Sequence, residues 1–354
     1  MRSHLKTLIG VTLSVLLLLW VLRDVSLAEV RHELSRANLP LLTLAVSLTL
    51  VGFAIRAVRW GVLLRPLQQR LPFRPRYAAV MIGFAANNLL PARVGEFARA
   101  LTLSRLTPVS VAGSLATLLV ERILDGLILV GLLFAAMAAP SFPVASTIAG
   151  VDPRAAARVV GVAMSLAAVA LLLLVVAPAR VVRLIEAVML RILPRPLGLA
   201  VVRGLEAFLQ GLTVLREVRL LVISVVLALG QWLATALSYL LAFRSFGIGE
   251  VSFSGAVFLQ SLISLAVSIP SSPGFFGPFE AAARVGLALW EVAPQKAVSF
   301  AVGYHIAGFI PVTLIGIYYV WRLGLGWRTV RRSEETVEQA TDSSSAASRA
   351  EGTA

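Results

Sequence analysis

The stretch MIGFAANNLLPARVGEFARALTLSR, residues 81–105, begins as a membrane segment and then stops being one. Residues 81–86 are apolar apart from Gly83, but Asn87, Asn88 and Pro91 follow, and then Arg93, Gly95, Glu96, Arg99 and Arg105. A helix facing lipid does not tolerate two amides and a proline, because each leaves polar groups in hydrocarbon. Two arrangements satisfy them. One is a short transmembrane helix that ends in a cytoplasmic turn. The other is a helix–break–helix that dips into the bilayer and returns, lined by protein and bringing Asn87, Asn88, Arg93 and Glu96 together.

Upstream, residues 56–76 hold Arg56, Arg59, Arg65, Arg70, Arg74 and Arg76 and no acid. That is a strong cytoplasmic marker, and cations at headgroup level attract phosphate. Trp60 fits the interfacial belt, and Arg56 and Arg59 at the end of an apolar run fit side chains snorkelling to headgroups. Arginines therefore flank the short run 77–90 on both sides. If it crossed the bilayer, Arg93, Arg99 and Arg105 would lie outside; if it re-enters, both flanks stay cytoplasmic. Charge bias and length favour re-entry.

The same logic extends over all 354 residues, which are 58% hydrophobic and only 14% charged. Repeated apolar runs of about 20 residues make this an all-α polytopic membrane protein. The net charge of +14 belongs to arginines beside membrane helices rather than to nucleic-acid binding. With no cysteine, three scattered histidines and no ATP-binding loop, no thiolate chemistry, metal site or cofactor is expected.

Full spans are read at about 8–22, 39–55, 109–138, 155–177, 220–243 and 298–320. Residues 23–38 read as an exterior amphipathic loop and 180–219 as cytoplasmic interfacial helix. The span 109–138 is interrupted by Glu121, Arg122 and Asp125. Glu121 and Asp125 share a helix face, and ionisable groups inside a membrane helix mark function by default. The plainer alternative is a structural ion pair in which Glu121 meets Arg93 or Arg99.

Residues 253–290 repeat the oddity of 81–105. Two short apolar arms flank Pro270-Ser271-Ser272-Pro273-Gly274-Phe275-Phe276-Gly277-Pro278-Phe279-Glu280. Prolines and glycines at this density break any helix. The reading is a second re-entrant hairpin whose free amides hold an anion, against an ordinary extracellular loop. The segments then fall into two halves, 1–154 and 155–325, each with three spans and a broken hairpin and of opposite topology. Discontinuous helices in inverted repeats are the plan of alternating-access transporters. Residues 326–354 are polar and read as a disordered cytoplasmic tail.

Four motifs occur in order: Arg56-x-x-Arg59-Trp60-x-x-Leu63-Leu64-x-Pro66; Gly83-Phe84-x-x-Asn87-Asn88-x-Leu90-Pro91-x-Arg93-x-Gly95-Glu96; Glu121-Arg122-x-x-Asp125; and Pro273-Gly274-x-x-Gly277-x-x-Glu280. Together they resemble the lysylphosphatidylglycerol synthase transmembrane, or flippase-like, family over roughly residues 5–325. In larger members this module precedes a cytoplasmic aminoacyl-transferring domain, so the resemblance implies the flippase role and not the synthase activity. It implies a lipid translocase in a bacterial or archaeal cell membrane; Arg2 and Lys6 before the first span and Arg322, Arg328, Arg331 and Arg332 after the last place both termini in the cytoplasm. Membrane lipids, and a separately encoded lipid-modifying enzyme, are the partners. The site residues are Arg56, Arg59, Asn87, Asn88, Arg93, Glu96, Arg99, Glu121, Arg122, Asp125, Pro273, Gly274, Gly277 and Glu280. The alternatives are a membrane enzyme acting on a lipid phosphate, with Glu96 or Asp125 as acid–base group, and a non-catalytic accessory subunit.

Overall fold

Every described element is helical. The computed structural model describes residue 12, residues 14–90, 94–143, 195–268 and 272–325, and isolated positions between 159 and 169; of 195–201 and 203 it describes the backbone alone. The span at 155–177, the tail at 326–354 and Arg93 itself lie outside the described residues, apart from the isolated positions in that span.

After helical turns over 14–22 the order is α1 (Leu27–Arg36), α2 (Leu39–Leu63), α3 (Phe73–Leu89), α4 (Gly95–Leu106), α5 (Val111–Met137), α6 (Arg195–Leu212), α7 (Val218–Ser245), α8 (Phe253–Ala266), α9 (Pro278–Leu287) and α10 (Pro294–Arg322). Three of these, α2, α7 and α10, are long and apolar enough to cross a membrane. Their exposed large side chains repeat at helical spacing, as in Ile306, Ile310 and Leu314 of α10 or Val218, Val222 and Val226 of α7. Such stripes face hydrocarbon in a membrane protein. At 27 residues α5 is about 40 Å long, but Glu121, Arg122 and Asp125 sit in its middle.

Two boundaries differ from the sequence reading. The stretch 23–38 is not a loop throughout: Ser26 accepts from the Glu29 N–H and starts α1, with Glu29 in the first turn and Arg36 in the last. Those are the residues that complement a helix dipole. Helix α2 does not stop at Ile55 but continues to Leu63, carrying Arg56, Arg59 and Trp60 into the core.

Both breaks in the pattern are antiparallel helical hairpins. A Cβ on Gly95 would lie 2.2 Å from the Gly83 carbonyl oxygen, and one on Gly83 would lie 3.0 Å from Arg99 Cβ. Helix α4 thus runs back along α3, backbone against backbone, as small residues permit. Likewise Gly286 of α9 faces Leu259 and Leu262 of α8, while Gly255 faces Trp290. The segment α6 is not free at the surface: Gly211 packs on the backbone of Gly113 in α5.

One stripe of α10 joins the two hairpins. His305 meets Glu280, Phe309 lies against Gly274, Thr313 meets Asn88, and Gly316 packs on Met81 and Ala85. The turn Pro273–Phe275 itself packs against α3.

Candidate functional site

The site is built from the faces of five helices. Along α2, Arg56, Arg59, Trp60 and Leu63 are all buried, the i, i+3, i+4, i+7 spacing of one helical face. Along α5, Thr117, Glu121 and Asp125 lie one turn apart and are buried as well. Helix α4 adds Arg99, α3 adds Phe84 and α7 adds Trp232.

Glu121, 0% exposed, is the centre. Its Oε1 accepts from Arg56 Nη1 at 2.7 Å and from Arg99 Nη1 at 2.8 Å, and its Oε2 accepts from Arg99 Nη2 at 2.9 Å. Arg59 Nη2 lies 3.5 Å away. Asp125 accepts from both Nη atoms of Arg59 at 2.5 and 3.0 Å, from Arg56 Nη1 at 3.2 Å and from Trp232 Nε1 at 3.1 Å. Two-pronged pairs of this kind fix orientation as well as charge. The aromatics complete the wall. Arg99 stacks over Trp60 at 4.0 Å, and Arg56 lies 5.5 Å from Phe84 and 5.9 Å from Trp232. Trp60 Nε1 donates to Thr117 at 3.0 Å.

Three guanidiniums therefore face two carboxylates, an excess of one positive charge among the described residues. The Nε atoms of Arg59 and Arg99 are buried and have no hydrogen-bond partner among the described residues. At the rim Arg122 pairs with Glu96 at 3.3 Å and leaves the balance unchanged.

The structure thus brings together Arg56, Arg59, Arg99, Glu121 and Asp125, with Glu96 and Arg122 beside them. The expected contact of Glu121 with Arg99 is present. Arg56 and Arg59, expected at the headgroup level, are core residues. The two asparagines serve the break. Asn87 Oδ1 accepts from the Gly95 N–H at 2.8 Å, capping α4, and Asn88 Nδ2 donates to Thr313 at 2.8 Å.

Pro273, Gly274, Gly277 and Glu280 form a separate cluster at the second break. Three of its amides are held from within the chain. Gly277 N–H donates to Glu280 Oε2 at 2.7 Å, Ser272 N–H to Ser14 Oγ at 3.0 Å, and Phe275 N–H to the Ser272 carbonyl at 3.1 Å. The anion at this break is the chain's own carboxylate. Sequence reasoning missed Trp60 as a site residue, and also Trp232, Thr313 and His305. Only Trp60 carried a signal, its place on the same α2 face as the two arginines.

Residues 7–316 match the family model described as lysylphosphatidylglycerol synthase TM region. The chain is 32% identical over 130 residues to a UPF0104 membrane protein, PH1989, of the archaeon Pyrococcus horikoshii. That match covers 35% of this chain and 37% of the relative. No solved structure matches.

Proposed function

Because the chain belongs to the lysylphosphatidylglycerol synthase transmembrane region family, we propose that it moves an anionic lipid, a phospholipid or a polyprenyl phosphate, between the leaflets of the cell membrane. The observation that supports this is the buried cluster with its surplus positive charge. A lipid phosphate crossing hydrocarbon needs a protein-lined polar path. Arg56, Arg59 and Arg99 offer it donors, and Glu121 and Asp125 keep the arginines satisfied while no lipid is bound. A monoanionic phosphate brings the cluster to neutrality. Arg93, read from the sequence as part of this site, stands just before α4.

In this reading both hairpins re-enter the bilayer, in two halves of inverted topology, and the site lies beside the first of them. Short arms and flanking arginines support it. Cysteines placed at the exposed positions Arg70 and Arg105 are then both labelled by an impermeant maleimide from the cytoplasmic side. Labelling from opposite sides makes the first hairpin a full crossing.

The direct test is reconstitution. The lipid retained by the purified protein is identified by native mass spectrometry, and a headgroup-labelled version is followed in vesicles. Translocation should exceed that of protein-free vesicles, and Arg56→Ala should slow it at least about tenfold, the cost of one charge-assisted contact. A cluster that only ties helices together behaves differently. Arg56→Ala then lowers stability alone, and transport never exceeds the blank. That outcome favours the accessory-subunit reading.

A further inference from the structure

Away from the arginine cluster, the second break carries a titratable pair that the lipid reading does not use. Glu280, in the first turn of α9, is 1% exposed. One of its oxygens holds the Gly277 N–H at 2.7 Å, and the other meets His305 Nδ1 of α10 at 2.7 Å. The imidazole is clamped between Phe279, with ring centres 4.2 Å apart, and Phe276, at 4.6 Å. His305 is the twelfth residue of the 29-residue α10, about 16 Å along a helix about 43 Å long, and so near its middle.

Other charges leave this pair alone among the described residues. On α9, Arg284 donates to the carbonyls of Trp20 and Val21 and lies 3.5 Å from Asp24. Tyr304, beside His305, turns to Ser238 and Thr49 of α7 and α2. Helix α8 and the turns over 14–22 contain no titratable side chain. Helix α1 touches α10 through Val30 and Leu34, and its Glu29, Arg31, His32, Glu33 and Arg36 form no bond to the pair. Helix α3 meets α10 through Met81, Ala85 and Asn88.

We infer that Glu280 and His305 form a proton-binding site that couples uptake of one proton to closure of the second break. With a proton on the imidazole the pair is neutral and can stay dry. Without it a single negative charge is left buried, and the break must admit water to solvate it. The proton comes from water on the side to which the break opens and returns to water, so no other reactant is needed. The break is built to change shape. Gly274 and Gly277 have φ of 70° and 100°, and Phe275 has φ of 62°, a conformation that costs a bulky residue energy and that a different loop shape relieves. Ser14 and Phe309 cover it from two sides. This device stands whether or not the arginine cluster carries lipid.

The test uses the full chain in nanodiscs and needs no substrate. The protein has three histidines and no cysteine. Histidine labelled with 15N therefore gives few signals, and the signal that persists in both His4→Gln and His32→Gln is that of His305. A lone cysteine at Ser272 reports access to the break, and its maleimide labelling is normalised to a cysteine at the exposed Ser35, which cancels thiol ionisation. The pH is scanned from about 5 to 8, where a histidine switch is sought, and the His305 ring signals and the labelling are read at each step. Normalised labelling should rise at least about fivefold over the same range, and His305→Gln and Glu280→Gln should each flatten it. A His305 signal that stays in one protonation state across that range overturns the proposal, as does labelling that tracks the control at every pH. Both readings come from protein with the native pair, so they decide the matter even if the variants do not fold.

Discussion

Glu121→Ala lowers the stability of the folded chain by about 3–5 kcal/mol, the cost of stranding buried charge, whereas Arg99→Ala costs about 2 kcal/mol, mainly its stacking on Trp60 and its packing volume. The asymmetry follows from the count of charges. Removing Glu121 leaves Arg56, Arg59 and Arg99 with Asp125 alone, and the buried excess grows from one positive charge to two. Removing Arg99 leaves two arginines facing two carboxylates, and Glu121 keeps its bond from Arg56 at 2.7 Å. Thermal unfolding of the three proteins in one detergent checks the order. Because the pairs are buried, the order should persist at high salt, where exposed pairs are screened. Equal losses for the two variants would mean that the surplus charge is already balanced by a further group, and the argument for an anionic ligand would fall with it.

The same cluster shows how far the sequence could be read. Its carboxylates were legible, because Glu121 and Asp125 stand in the middle of an apolar run and share a helix face. Arg99 was legible as a partner, being on the neighbouring hairpin arm. The depth of Arg56 and Arg59 was not. A sequence places an arginine by its distance from the end of an apolar run, and by that measure both reach the headgroups. What buries them is α5 lying across α2, a contact between residues 56–59 and 121–125 that only the fold supplies. Trp232 is further still, with Asp125 107 residues before it.

The breaks follow the same rule. That the chain breaks near 90 and 273 was plain from Asn87, Pro91 and the Pro–Gly run. The uses of the polar residues there were not. Asn87 and Glu280 are caps as well as candidate ligands, each taking the N–H of the glycine at the N-terminal end of the helix after its break. The partners of Asn88 and Glu280, Thr313 and His305, sit two turns apart on α10, where nothing in the sequence separates them from the span around them.

Gly95→Ala destabilises the protein by about 2–3 kcal/mol, a large effect for one methyl group, and on the proposed function abolishes transport with it. The new Cβ would stand 2.2 Å from the Gly83 carbonyl oxygen and 2.5 Å from both Cγ and Oδ1 of Asn87. Neither neighbour can swing aside. One is helix backbone, and the other is held by its bond to the Gly95 N–H. The hairpin arms must therefore part, at the upper end of what overpacking costs. Gly83→Ala should cost less, since its nearest atoms are at 2.7 and 3.0 Å. Gly131→Ala, on the exposed face of α5 with nothing within 4 Å among the described residues, should be neutral or stabilising by up to about 1 kcal/mol. Melting temperatures of the three variants check the series, and a Gly95→Ala protein that melts with the wild type removes the close crossing of α3 and α4. Transport gives the second readout. Arg99 is one turn beyond Gly95, so arms pushed apart there draw its guanidinium away from Glu121. A small residue outside the cluster thereby sets whether the cluster can form.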